Sequence, residues 1–120
     1  MKWQVLFYEK TNGVNPVKEF LKTLSSGHQA KALREIDLLE QFGTALQRPH
    51  VAAIRQDRYA GLWELRIQFS GDSSRIFYFL AQGNRFVLLH GFMKKTDALP
   101  AKELEMARKR MNEYLRRCGE

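Results

Sequence analysis

At 120 residues and 44% apolar, with eight Phe, four Tyr and two Trp, the chain carries enough hydrophobic surface for one core and predicts a single domain over residues 1–120. Its 20 Lys and Arg against 13 Asp and Glu give a net charge of +7, which favours a polyanionic partner over an acidic small molecule. A lone cysteine, Cys118, excludes an intramolecular disulfide and a cysteine metal cluster, and no apolar run reaches signal-peptide or membrane-spanning length. A protein of the reducing cytoplasm, without a membrane partner, is expected.

Trp3, Val5 and Phe7 alternate with Gln4, Leu6 and Tyr8 and stop at the turn signal Thr11-Asn12-Gly13, which predicts a first strand near residues 2–8. Asn15-Pro16 supplies an N-cap and a first helical residue, and Val17, Phe20, Leu21 and Leu24 follow as one buried stripe. Ser25-Ser26-Gly27 breaks that helix. Leu33, Ile36, Leu39 and Phe42 mark a second helix closed by Gly43, with Lys31, Arg34, Glu35, Asp37 and Glu40 read as exposed side chains. Residues 44–60 show no period, contain Pro49 and carry Arg48, Arg55 and Arg58, and so read as an exposed connector. His28 and His50 read as surface residues without a partner at metal-ligand spacing.

Three strands follow near 61–69, 74–81 and 85–92, separated by Ser70-Gly71-Asp72 and Gln82-Gly83-Asn84, which predicts an antiparallel meander. Pro100 opens a last helix with Leu104, Ala107, Met111 and Leu115 as its apolar stripe. The order is β-α-α-β-β-β-α, an α+β chain with no internal repeat. The charge is concentrated: residues 45–96 hold eight basic side chains against three acidic ones, so the meander and the connector before it carry most of the excess.

Three blocks in this order, Gly61-Leu62-Trp63-Glu64-Leu65-Arg66, then Arg75-Ile76-Phe77-Tyr78, then Leu88-Leu89-His90-Gly91-Phe92-Met93-Lys94-Lys95-Thr96, followed by Pro100, Ala107 and Arg110, carry a family resemblance. The chain resembles the phage-derived HigB-like branch of the RelE/ParE toxin superfamily. The resemblance implies a small four-stranded antiparallel sheet flanked by helices and the toxin of a type II toxin–antitoxin module. It implies a partner antitoxin with a helix-turn-helix domain, through which alone operator DNA is contacted, and a ribosome-dependent mRNA endonuclease activity with no cofactor and no metal. Relatives on the ParE side inhibit DNA gyrase instead, and a non-catalytic co-repressor acting with its antitoxin is the third reading.

Cleavage of RNA by attack of its own 2′-hydroxyl needs cations for the charge developing at phosphorus, a base and an acid. Along strand 61–69, Leu62, Glu64, Arg66 and Gln68 share one face, and Trp63, Leu65, Ile67 and Phe69 the other, so Arg66 projects from the polar side. With its bidentate fork it is the first candidate for phosphate, Arg75 is a second, and the Lys94-Lys95 pair at the end of the last strand completes the catalytic set. Arg48, Arg55, Arg58 and Arg85 read as backbone-steering charges, with Tyr59 or Tyr78 available to stack on a base. His90 suits acid–base work by type. Its place beside Leu88 and Phe92 favours the edge of the core, so the acid and base are unassigned.

Overall fold

The computed structural model describes residues 2–119. In chain order the elements are β1 (Gln4–Phe7), α1 (Pro16–Lys22), α2 (Ser26–Phe42), β2 (Val51–Ala53), β3 (Trp63–Phe69), β4 (Asp72–Leu80), β5 (Arg85–Met93) and α3 (Ala101–Cys118). The helix starts follow the expected chemistry: Asn15 Oδ1 accepts from the Lys18 N–H at 3.3 Å, and Ser25 Oγ accepts from the His28 N–H at 3.3 Å.

The sheet has five strands in the order β1-β5-β4-β3-β2, not four, and it is mixed rather than antiparallel. Two features cause the difference. The connector contributes β2, whose three residues pair with the free edge of β3 and are too few to show a period. The first strand lies parallel to β5, with Val5 opposite Phe86 and Phe7 opposite Leu88, because the α1–α2 pair carries the chain back across the sheet before the meander begins.

Both faces are covered. On one, Val17, Leu21, Ala32, Ile36 and Leu39 from α1 and α2 pack on Leu65, Ile67, Ile76, Tyr78, Phe86 and Leu88. On the other, Leu104, Ala107 and Met111 of α3 pack on Leu62, Phe77, Phe79, Val87, Leu89 and Phe92. The face of β3 expected to be polar is therefore half core: Leu62 and Glu64 are buried under it, while Trp63, expected inside, is 39% exposed.

The stripe of α2 also differs from the apolar spacing. Leu33 and Phe42 are exposed, and the buried positions are His28, Ala32, Glu35, Ile36 and Leu39. Two polar residues enter that stripe because each finds a partner. His28 Nε2 lies 2.9 Å from Ser74 Oγ, and the Glu35 carboxylate meets His50 Nδ1 at 2.7 Å and Lys31 Nζ at 3.4 Å. Neither His28 nor Glu35 is a surface residue.

A bulge sets the faces of β5. Phe77 pairs with His90 and Tyr78 with Leu88, so Leu89 is the extra residue and the alternation flips after it. His90 turns to the α3 side with Phe92, opposite to Leu88 rather than beside it. At the end of α2, Gly43 adopts φ 53° and ψ −127°, a conformation that strains any side chain, and a Cβ there would lie 2.0 Å from the Trp3 ring. Gly43→Ala is expected to cost more than the roughly 1–3 kcal/mol of the backbone alone, because Trp3 must also leave Phe86. Urea unfolding measures this; an unchanged midpoint would refute it.

Candidate nucleic-acid interface

Antiparallel pairing places Arg66 of β3 directly opposite Arg75 of β4, on the same face as Glu64 two residues earlier. Like charges opposite one another repel. Glu64 resolves the repulsion: its Oε1 accepts from Arg66 Nε at 2.6 Å and lies 3.3 Å from Arg75 Nε. The Glu64 side chain is 5% exposed and that of Arg75 12%, against 33% for Arg66.

Arg75 is clamped further by donating from Nη1 to Ser73 Oγ at 3.2 Å and to the Ser74 carbonyl at 3.0 Å. Its Nε has no hydrogen-bond partner, since the approach to Glu64 is a charge contact without hydrogen-bond geometry. Burial lowers the Arg75 pKa, Arg66 adds to the lowering, and Glu64 opposes both. The result is a guanidinium pair that is fixed and only partly neutralised by one carboxylate.

Above the pair opens a cleft of about 400 Å³ lined by Arg48, Arg55, Arg66, Arg75 and Lys94, with Glu64 and Asp97 as its acidic members. The connector brings Arg48 and Arg55, the meander brings the arginine pair, and the exit of β5 brings Lys94. The Lys94 amide donates to the Ser73 carbonyl at 2.8 Å, which ties that exit to the start of β4. Lys94 Nζ reaches the Thr96 carbonyl at 2.5 Å. Such a surface can hold a phosphodiester: a guanidinium pair at the floor and further cations at the rim.

The sequence candidates divide by position. Arg66, Arg75, Lys94 and Arg55 come together at the cleft. Lys95 is exposed and outside its lining. Arg85 starts β5 at the far end of the sheet, where its Nε donates to the Gln82 carbonyl at 3.4 Å. Arg58 and Tyr59 are occupied by α3: Arg58 Nε and Nη2 donate to Glu105 at 2.5 and 3.1 Å, and the Tyr59 hydroxyl donates to the same carboxylate at 2.6 Å. Those bonds hold the Glu105 pKa at about 2 and raise that of Tyr59, whose ring is buried. Tyr78 is 3% exposed on the α1–α2 face, edge-on to Phe86, so its ring is closed to a base.

His90 is shut in by α3. Arg110 Nη1 donates to its Nδ1 at 2.8 Å, so Nε2 carries the hydrogen and donates to Glu103 at 2.7 Å. Burial first, then the Arg110 charge, lower its pKa. It ties β5 to α3 and lines no part of the cleft.

Glu64 was legible as a neighbour of Arg66 on one face, yet its burial, which makes it the keystone of the pair, was not. Among the described residues no His, Cys, Asp and Glu are grouped to hold a metal ion, and no helix is long and apolar enough to cross a membrane. No curated protein matches the chain in sequence. The model of one family, described as phage-derived protein Gp49-like (DUF891), matches residues 19–112, from α1 through α3 and including every residue that lines the cleft. The chain belongs to this Gp49-like family of phage-derived proteins, which is of the RelE/ParE toxin type.

Proposed function

We propose that the chain is the toxin of a type II toxin–antitoxin module, of the HigB-like kind, and an endoribonuclease that cuts messages while they are translated in the cytoplasm. The observation that carries the reading is the Arg66–Glu64–Arg75 cluster at the floor of a cleft with five basic and two acidic side chains. In-line attack of a ribose 2′-hydroxyl on the adjacent phosphorus puts extra negative charge on the phosphoryl oxygens. Fixed guanidinium groups stabilise that charge without reorganising. Arg48, Arg55 and Lys94 hold flanking phosphates, and Lys95 adds to the field that draws RNA in, whereas Arg58 is neutralised by Glu105 and Arg85 lies at the far end of the sheet.

The partner is an antitoxin with a helix-turn-helix domain, docked on the exposed side of α2 at Lys31, Arg34, Asp37 and Glu40, and operator DNA is met only through it. Charge reversal at Arg34, Asp37 and Glu40 that leaves a pull-down unchanged counts against this surface.

Induction of the chain without its antitoxin tests the activity. Primer extension on a translated message is expected to reveal new, codon-aligned 5′ ends; intact messages with accumulating cleaved or relaxed DNA would instead mark a gyrase inhibitor. Affinity for single-stranded RNA is expected to fall with salt at a log–log slope of roughly −2 to −3.5, about −0.7 for each of three to five phosphates neutralised. Filter binding across a salt series checks it, and a slope near zero would contradict phosphate contact.

A further inference from the structure

The Arg66–Glu64–Arg75 cluster supplies cations and, in Glu64, a carboxylate engaged by both arginines; the cleft's other carboxylate, Asp97, is exposed in the segment after β5. A second opening of about 330 Å³ lies at the sheet edge beside β2, lined by Lys31, Glu35, His50 and Gln68 together with Arg66 and Arg75. Because Arg66 and Arg75 line both openings, the two meet at the guanidinium pair. The backbone fixes the relation, since the Arg66 amide donates to the His50 carbonyl at 2.8 Å, so the two residues are neighbours across adjacent strands.

His50 is held as a proton acceptor would be. Its Nδ1 lies 2.7 Å from Oε1 of Glu35, whose side chain is 2% exposed, while its own side chain is 37% exposed at the opening. An ionised carboxylate only accepts, so Nδ1 carries the hydrogen and Nε2 of the neutral ring keeps its lone pair. Lys31 Nζ, 3.4 Å from the other carboxylate oxygen, supports the charge on Glu35. The other two histidines are closed off: His28 is 2% exposed and bonded to Ser74, and both ring nitrogens of His90 are occupied by Arg110 and Glu103.

We infer that His50, oriented by Glu35, is the general base for a ribose 2′-hydroxyl whose phosphodiester is held by Arg66 and Arg75. The inference rests on the endoribonuclease reading. In the step, Nε2 takes the 2′-hydroxyl proton as O2′ bonds to phosphorus, the P–O5′ bond breaks, and solvent water protonates the departing 5′ oxygen. The products are a 2′,3′-cyclic phosphate and a 5′-hydroxyl, and the imidazolium returns its proton to water. The buried Glu35 carboxylate is a positioning residue that fixes the ring tautomer and offsets the positive charge formed on it.

Single-turnover cleavage of a labelled message on programmed ribosomes tests the assignment, with RNA affinity and thermal unfolding measured on the same proteins. His50→Ala is expected to slow cleavage about 10²–10⁴-fold, with affinity changed less than about twofold and partial rescue by free imidazole. His50→Asn keeps a donor for Glu35 and therefore the fold, yet accepts no proton, and is expected to lose as much. Glu35→Gln keeps an acceptor and loses the charge, so its smaller loss falls on kcat rather than KM. Cleavage by His50→Asn at the wild-type rate, or an affinity loss that accounts for the whole effect, overturns the general base while leaving the endoribonuclease standing. A wild-type chain that leaves the message intact overturns both.

Discussion

Arg66→Ala is expected to slow RNA cleavage by about 10²–10³-fold while leaving the protein folded, the loss seen when one preorganised donor to a developing oxyanion is removed. Arg66 is the member of the pair that both contacts Glu64 at 2.6 Å and remains a third exposed, so it is held in place and still open to the cleft. Its removal leaves Glu64 with Arg75 at 3.3 Å, so the carboxylate is not orphaned and the melting temperature changes little. Arg66→Lys keeps the charge but loses the planar two-donor fork, and is expected to recover only part of the rate. Wild-type rates in Arg66→Ala would remove phosphate contact from this residue.

The second large effect falls on stability. Glu64→Ala leaves Arg75, 12% exposed, facing Arg66 across two strands with no counter-charge, and is expected to cost about 3–5 kcal/mol. Removing both members of the buried pair is a different matter. Glu64→Leu with Arg75→Met trades a desolvated ion pair for apolar contact beside Phe77 and Phe92, and is expected to be markedly more stable than Glu64→Ala although inactive toward RNA. Urea unfolding of Glu64→Leu, Arg75→Met and the double variant forms the cycle. A double variant whose cost equals the sum of the singles would mean that the pair is not coupled. If the result is as expected, the cluster is held for its substrate, at the expense of the fold.

How much of this was legible from the sequence depends on the distance over which each feature is encoded. The helices, the meander and both hairpin turns were, because caps, turn residues and apolar spacing act over a few neighbours. Placing Arg66 on the face of Glu64 needed only the two-residue period of a strand, and pairing it with Arg75 needed only the hairpin at Ser70-Gly71-Asp72. By contrast, β2 exists because β3 offers it a free edge, a fact of the assembled sheet.

Polar residues at core positions were misread for a related cause. Spacing of apolar residues alone put Leu33 and Phe42 in the buried stripe of α2, whereas His28 and Glu35 occupy it because Ser74 and His50 satisfy them from 46 and 15 residues away. The same blindness hid the relation between His50 and Arg66. A single extra residue at Leu89 turned His90 away from the face its position implied, and no local signal announces a bulge in a run of strand formers.

The chemistry of the cut distinguishes a 2′-hydroxyl attack from a hydrolysis that leaves 5′-phosphates. Programmed ribosomes carrying an end-labelled message, incubated with the purified chain, are expected to yield fragments ending in a 2′,3′-cyclic phosphate on one side and a 5′-hydroxyl on the other, formed about 10²–10³-fold more slowly by Arg66→Ala. A message left whole by the wild-type chain, or fragments bearing 5′-phosphates, would contradict cleavage by 2′-hydroxyl attack.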